Sequence, residues 1–309
     1  MVNNFLGIHA AAPLVMTPGL LLTPRLLTAD ELAAAAAGLP ASPAAVSDLA
    51  PHFKVSISHG VEEQASGSSS KQLVTLANFV AALDRGRSGY MKQCSLHPLL
   101  RRAGAPPWRC GFMDRPCAWW PQAAAAIAAA SAAASSVAPP LALVAATVAA
   151  ALVAFAVGAP VTETPYIWVG GAGETTGCHN DDEDNVLIVT SGRKRVTCWA
   201  PHLGGLLRPN RKYDSGTRCC DFDVATERLD GVGREAMVFI LEAGTEASAL
   251  LIPRFWFHAV ESLSVSVSVN VFMSTPWALV RWGAPRALLA ALHAAGWRRA
   301  DCVCHAHER

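Results

Sequence analysis

The sequence is poor in charge, and the charge that it has is balanced. Charged residues make up 16% of the 309 positions, and the formal net charge is +1. An extended nucleic-acid surface needs an excess of basic residues, so no nucleic-acid partner is predicted. Hydrophobic residues make up 52% of the chain, which is enough for one core of about 200 to 250 residues with flanking segments.

A basic segment of the kind that begins a secretory leader is also missing, because the first charged residue is Arg25. The nine cysteines are an odd number, which argues against a disulfide framework and favours a reducing compartment. We therefore expect an intracellular protein, cytoplasmic or nuclear, in which residues 1–48 form an N-terminal extension. A targeting segment within that extension stays an open alternative.

The triplet His179-Asn180-Asp181 and the distant His258 carry the candidate chemistry. Because side chains alternate along a strand, His179 and Asp181 are predicted to point into one cavity. Two histidines and one carboxylate can hold Fe(II) on one face and leave coordination positions open for a co-substrate and for dioxygen. The alternative is a surface pair within the acidic run 181–184, which is ordinarily a solvated loop, together with a histidine packed among aromatic residues.

The residues around the triplet follow a recognisable spacing. Thr176 lies three residues before His179, Asn185 six after it and Lys194 fifteen after it. These offsets, the segment 251–263 around His258, the strand 264–272 and the run Gly89-Tyr90-Met91-Lys92-Gln93 resemble the JmjC-type, cupin-like Fe(II)/2-oxoglutarate dioxygenases. Within that family they are most similar to small protein hydroxylases, such as the asparaginyl hydroxylase of hypoxia-inducible factor.

The resemblance implies a set of roles. Catalysis and metal binding would fall to His179, Asp181 and His258. The pocket for 2-oxoglutarate would be lined by Lys194, Thr176, Asn185, Tyr90 and Asn270. The buried ammonium of Lys194 would meet the distal carboxylate of the co-substrate, since an anion makes such burial tolerable. In isolation, Arg193-Lys194-Arg195 is typical of a solvated basic turn.

The resemblance also implies a mainly β fold with flanking helices: a double-stranded β-helix of the jelly-roll, cupin type over residues 49–277. We expect residues 185–190 and 194–199 to pair as an antiparallel hairpin with its turn at 191–193. Alternation then directs Lys194, Val196 and Cys198 inward and Cys178 away from the metal. In the strand 265–271, the four valines are predicted on one face, with Ser266, Ser268 and Asn270 on the face that lines the cavity.

Residues 116–162 contain no charged residue and are dominated by alanine. Two stretches within it, 122–138 and 141–159, are each long enough for a helix, and the second approaches the length that crosses a bilayer. Spanning would place Tyr90 and His179 on opposite sides of a membrane, so we predict an Ala-rich helical insertion, or a retained non-coding stretch, instead.

Two further segments carry predictions. The interval 244–253 is about three residues longer than in the family, so a bulge or looped-out turn is needed to keep His258 in register.

After the domain, residues 285–296 are predicted to form a helix that begins with proline and ends at glycine, within a C-terminal segment 278–309. This helix, through Leu288, Leu289 and Leu292, could pack on the sheet or join two copies as a homodimer. The final Cys302-Val303-Cys304-His305 run is expected to be a frayed tail.

The sequence therefore predicts an Fe(II)- and 2-oxoglutarate-dependent dioxygenase that consumes O2 and hydroxylates side chains of a protein substrate. A lysine demethylase or a tRNA-base hydroxylase of the same fold stays open, because the metal site is common to all of them. So does a cupin-like binding module without activity, its site spoiled by the insertion.

Overall fold

A computed structural model describes residues 14–15, 36, 38–58, 72–108, 161–162, 165–210, 212, 217–221, 224, 233–245, 248–274 and 284–297. In these ranges the chain is mainly β with flanking helices. The strands are β1 Leu14–Val15, β2 Lys54–Ser58, β3 Gln72–Thr75, β4 Tyr90–Ser95, β5 Val161–Thr162, β6 Tyr166–Gly170, β7 Thr175–Asp181, β8 Asp184–Ser191, β9 Arg193–Trp199, β10 Thr217–Cys219, β11 Met237–Glu242, β12 Ala249–Ile252, β13 Phe257–Ser262 and β14 Ser266–Ser274. The helices are α1 Pro43–Leu49, α2 Leu76–Asp84, α3 Leu96–Arg102, α4 Gly204–Leu207 and α5 Ala284–Ala294, with 3-10 turns at Pro201–Leu203 and Gly233–Glu235.

The strands form two antiparallel sheets. The larger sheet has the order β1-β12-β8-β14-β6-β4-β2-β3, with β5 beside β14, and the smaller sheet has the order β10-β7-β13-β9-β11. From β6 to β9, and again from β11 to β14, successive strands alternate between the two sheets. This alternation defines the double-stranded β-helix, so the predicted fold class is confirmed.

The predicted hairpin of residues 185–190 and 194–199 is wrong. Strand β8 pairs with β12 and β14, whereas β9 pairs with β11 and β13. Between them Gly192 has a φ of +72°, and a Cβ on this residue would lie 2.1 Å from the carbonyl oxygen of Val265. The chain therefore crosses from one sheet to the other at a point where only glycine fits. The inward direction of Lys194, Val196 and Cys198 is confirmed, because all three are fully buried.

Apolar residues pack in three layers around the two sheets. Helices α1 to α3 contribute to one apolar cluster with the larger sheet, which contains Phe79 and Leu96 from the helices and Val267, Val269 and Val271 from β14. A second cluster, with residues from both sheets, fills the space between them. A third cluster contains Cys178, Trp199 and Phe257. The predicted apolar face of β14 is thus confirmed for Val267, Val269 and Val271 but not for Val265. That residue precedes the strand and is 38% exposed.

The longer interval before His258 is absorbed by a turn. Strand β11 ends at Glu242, Gly244 takes a φ of +76°, and β12 begins at Ala249. Strand β13 then brings His258 directly opposite His179 on β7. A turn thus lies where the sequence analysis expected a bulge or a looped-out turn, and His258 stays in register with His179, with a register shift only after it, between His258 and Val260.

The flanking segments are described in part. Of the Ala-rich stretch 116–162, only β5 lies within the described residues, where it pairs with β14. The C-terminal run 302–305 lies outside them. Among the helices that the structure describes, none combines the length and the apolar character that crossing a bilayer requires. In α5, Leu288 is 62% exposed, and Leu289 and Leu292 are exposed as well, so the helix does not bury these residues on the sheet.

Candidate metal centre

Three side chains from two neighbouring strands converge in the smaller sheet. His179 and Asp181 lie on β7, two residues apart, and His258 lies opposite His179 on β13. One potential ligand atom from each residue lies within 4.8 Å of the other two. All three residues are buried, so the cluster is not the solvated surface pair that the acidic run 181–184 alone would suggest.

The two imidazole rings are oriented by the backbone. Nδ1 of His179 lies 2.8 Å from the carbonyl oxygen of Gly177, and Nδ1 of His258 lies 3.1 Å from that of Trp256. A carbonyl oxygen only accepts, so each Nδ1 carries the proton and each Nε2 keeps its lone pair. This is the arrangement by which metal-binding histidines are usually fixed.

Burial keeps His258 neutral. Desolvation by burial, together with the neighbouring His179, lowers the pKa of His258 to about 4, although Asp181 and the Trp256 carbonyl act in the opposite direction. The ring is therefore uncharged at pH 7, and its 3.6 Å contact with Asp181 is not an ion pair under those conditions.

Asp181 has one oxygen that is satisfied and one that is not. Oδ1 accepts a hydrogen bond from Thr217 at 3.1 Å. Oδ2 is buried and has no hydrogen-bond partner among the described residues. An orphaned carboxylate oxygen is costly in a folded protein. Two imidazole lone pairs beside this oxygen form a donor set that fits a divalent metal ion.

A cavity of about 90 Å³ adjoins the cluster, with room for several waters or a small ligand. Its walls include seven of the eight predicted site residues: Tyr90, Thr176, His179, Asp181, Asn185, His258 and Asn270. At one wall Asn270 donates to Asn185 with a separation of 2.9 Å, which fixes both amides relative to the cavity.

Lys194 lies behind the cavity wall instead of on it. Its side chain is fully buried, and Nζ donates to Tyr90 Oη at 3.3 Å and to Ser262 Oγ at 3.0 Å. Among the described residues, no carboxylate forms an ion pair with this ammonium group. Tyr90 Oη also accepts from Thr176 at 3.4 Å, so the tyrosine hydroxyl connects the buried cation to the cavity.

Several residues at this site escaped the sequence analysis. Thr217, Ser262 and Trp168 contact the predicted residues or line the cavity, and no local pattern marks them. Arg254 and Asp184 form a buried ion pair with Nη2 and Oδ2 separated by 2.7 Å. In the sequence, the aromatic residues 255–257 indicated only packing around His258, and Asp184 lay in an acidic run that is typical of solvent. Cys178 is packed with Cys220 and Phe257, away from the metal cluster as predicted.

Fold and site together define a jelly-roll protein with a facial His-Asp-His cluster. The cupin-like domain family matches residues 114–277, which is more than half of the chain. The protein therefore belongs to the cupin-like, JmjC-type family, as the resemblance around His179 implied.

Curated relatives of this family match shorter parts of the chain. "Lysine-specific demethylase JMJ31" of Arabidopsis thaliana is 30% identical over 109 residues, which are 33% of this chain and 19% of that protein. The "tRNA wybutosine-synthesizing protein 5" of Gallus gallus is 34% identical over 105 residues, 34% of this chain and 31% of that protein. "HSPB1-associated protein 1" of Rattus norvegicus is 31% identical over 112 residues, 34% of this chain and 22% of that protein. The chain thus spans less than a third of the length of these relatives. Family and triad are consistent with binding of Fe(II) and 2-oxoglutarate.

Proposed function

We propose that the protein is an Fe(II)- and 2-oxoglutarate-dependent dioxygenase that hydroxylates side chains of a protein substrate. The observation that carries the proposal is the convergence of His179, Asp181 and His258, with an orphaned carboxylate oxygen, beside a cavity backed by a buried lysine. Each feature is unfavourable or unexplained in a purely structural role, and all of them suit a metal and an anionic co-substrate.

The metal would be held by Nε2 of His179, Nε2 of His258 and Oδ2 of Asp181. When bound together, iron and 2-oxoglutarate supply the oxidising chemistry, with dioxygen consumed and succinate and carbon dioxide released. Three protein ligands on one face leave the remaining positions to small molecules. The backbone carbonyls that hold each Nδ1 fix the ring orientation before the metal arrives, which lowers the cost of assembling the site.

Tyr90, Lys194 and Thr176 would bind the distal carboxylate of 2-oxoglutarate. Lys194 supplies the positive charge, and the Tyr90 hydroxyl, held by both neighbours, is the group that reaches the cavity. Because Nζ is fully buried, its attraction for an anion is weakly screened by water. Asn185 and Asn270 hold each other at another wall and keep that wall polar and rigid.

The protein substrate belongs to the proposal and rests on the family likeness noted above. The proposal also includes homodimerisation through α5, the division into a domain at 49–277 with flanking segments 1–48 and 278–309, and an intracellular location, which was inferred from the odd number of cysteines and the missing basic leader. Two other activities of the same oxidative chemistry stay as alternatives to protein hydroxylation, because relatives carry the corresponding names: lysine demethylation and hydroxylation of a modified tRNA base.

Iron-dependent formation of succinate from 2-oxoglutarate by the purified full chain tests the proposal. Wild type should form succinate only when Fe(II) is added, and His179→Ala should not form it. Adding candidate peptides, methylated lysine peptides or tRNA in parallel shows which substrate class raises turnover. Equal absence of turnover and equal metal content in wild type and His179→Ala would instead identify a binding module without enzymatic activity.

A further inference from the structure

Asp184 and Arg254 form a buried ion pair that the proposed chemistry does not use. The two residues are 5% and 4% exposed. Arg254 Nη2 lies 2.7 Å from Asp184 Oδ2, and the backbone nitrogen of Arg254 lies 2.9 Å from Oδ1. Arg254 Nε makes a longer contact of 3.5 Å with the same Oδ1. One carboxylate thus binds both the side chain and the main chain of Arg254.

The pair joins two parts of the metal site. Asp184 is the first residue of β8, and the next residue, Asn185, lines the cavity. Arg254 lies in the turn between β12 and β13, four residues before His258. The turn is closed by a hydrogen bond from the Trp256 nitrogen to the Pro253 carbonyl at 3.2 Å.

This turn has an unfavourable backbone conformation. Phe255 has a φ of +66°, a region that turns usually fill with glycine or asparagine. The Phe255 nitrogen donates to the Asp181 carbonyl at 2.7 Å, and Asn180 Nδ2 contacts the Phe255 carbonyl at 3.4 Å. A bulky residue stays in such a conformation only where the surroundings enforce it. Asp184 binds Arg254, the residue immediately before Phe255.

The same turn supplies the carbonyl that orients a predicted metal ligand. The Trp256 oxygen holds Nδ1 of His258 at 3.1 Å. A shift of this turn therefore rotates or displaces the imidazole, even though neither Asp184 nor Arg254 contacts the ligand atoms. Buried ion pairs contribute little net stability compared with apolar residues of the same size, so stability alone is a poor reason for this one.

We propose that Asp184 and Arg254 are positioning residues that hold the 253–256 turn, and through the Trp256 carbonyl the His258 ring, in the geometry that binds metal. This inference rests on the proposed function, because His258 has to be a metal ligand for its orientation to matter.

The test measures Co(II) binding to the metal-free full chain by calorimetric titration, with the visible absorption of bound Co(II) as a second readout. Arg254→Met and Asp184→Asn each break the pair, and Arg254→Lys keeps a charge without the planar fork. Arg193→Met is the matched control, because Arg193 forms an exposed ion pair with Glu242. Loss of an outer group that orients a ligand typically weakens metal binding by roughly ten- to a hundredfold.

We expect that loss in Arg254→Met and Asp184→Asn, a partial recovery in Arg254→Lys, and wild-type affinity in Arg193→Met. The double variant Asp184→Leu/Arg254→Met separates positioning from stability, because an apolar pair can restore stability but cannot bind the Arg254 backbone nitrogen. Its melting temperature should approach that of wild type while its Co(II) affinity and spectrum stay altered.

Two results would overturn the inference while the proposed function stands: broken-pair variants that bind Co(II) as wild type does, or a double variant that regains full affinity together with stability. Failure of wild type itself to bind Co(II) would overturn the metal site and the inference with it.

Discussion

Replacing Lys194 by methionine should remove co-substrate binding without weakening the metal-free fold. The ammonium is fully buried, and it donates to two neutral oxygens at 3.0 and 3.3 Å. Burying an ion costs several kcal/mol unless it is paired. Ser262 keeps a hydrogen bond from Ser266 at 3.1 Å, and Tyr90 keeps one from Thr176 at 3.4 Å, so the substitution leaves neither hydroxyl without a partner.

The magnitudes follow from this arrangement. Removing one partner of a buried, hydrogen-bonded charge pair costs about 2 to 5 kcal/mol of binding, and about 3 kcal/mol corresponds to more than a hundredfold in Kd. For the metal-free protein, an apolar replacement of a poorly paired buried charge is neutral or stabilising by about 1 to 2 kcal/mol. That gain would raise Tm by a few degrees, at about 2 to 4 °C per kcal/mol.

Calorimetric titration of 2-oxoglutarate into the Mn(II)-loaded protein and thermal melts of the metal-free protein check both effects. Lys92→Met is the matched control, because Nζ of both lysines lies near the Tyr90 ring, 5.1 Å from its centroid for Lys194 and 5.3 Å for Lys92, but Lys92 is only half-buried. It should bind 2-oxoglutarate as wild type does. The reasoning fails if Lys194→Met keeps its affinity for 2-oxoglutarate and loses several kcal/mol of stability, since Lys194 would then serve the fold.

Two other predictions concern the same region. Folding lowers the pKa of His258 from 6.5 to about 4. Between pH 6.5 and 4, the histidine is therefore protonated in the unfolded chain but stays neutral in the folded chain. The free energy of unfolding of the metal-free protein should therefore fall by up to about 3 kcal/mol as the pH is lowered from 6.5 to 4. Urea unfolding should show a smaller fall in His258→Phe, and equal falls in both proteins would contradict the reasoning. A Cβ at Gly170 would lie 3.0 Å from both Ser262 Oγ and Tyr90 Cδ2, whereas at Gly171 the nearest atom is 3.5 Å away. Gly170→Ala should thus lower the free energy of unfolding by about 1 to 3 kcal/mol through overpacking and weaken 2-oxoglutarate binding, whereas Gly171→Ala should stay near wild type in both. The reverse order in thermal melts and titrations would refute this account of the packing around Tyr90 and Ser262.

Local pattern was sufficient for some of these features and not for others. The inward direction of Lys194, Val196 and Cys198 follows from alternation within one strand, which needs no knowledge of the partner strand. The partners of β8 and β9 could not be predicted in that way, because a glycine turn looks alike in a hairpin and in a crossing between two sheets. The family resemblance alone brought Tyr90 to Lys194, 104 positions apart.

Long-range polar contacts were the part that sequence reasoning missed. Asp184 lies in the acidic run 181–184, where composition favours solvent, and its partner Arg254 is 70 positions away. Only the folded chain shows that the carboxylate is buried and that the arginine belongs to the turn before His258. The same holds for Ser262, whose hydroxyl supports Lys194 but whose sequence neighbourhood resembles any polar strand end.

X-ray absorption on the Fe(II)-loaded protein addresses the central claim most directly, because it counts the imidazole ligands of the metal. Wild type should show two imidazoles per iron, and His179→Ala and His258→Ala should each retain one at most. A wild-type spectrum without imidazole ligands, or variants indistinguishable from wild type, would contradict the claim that these residues share one metal ion.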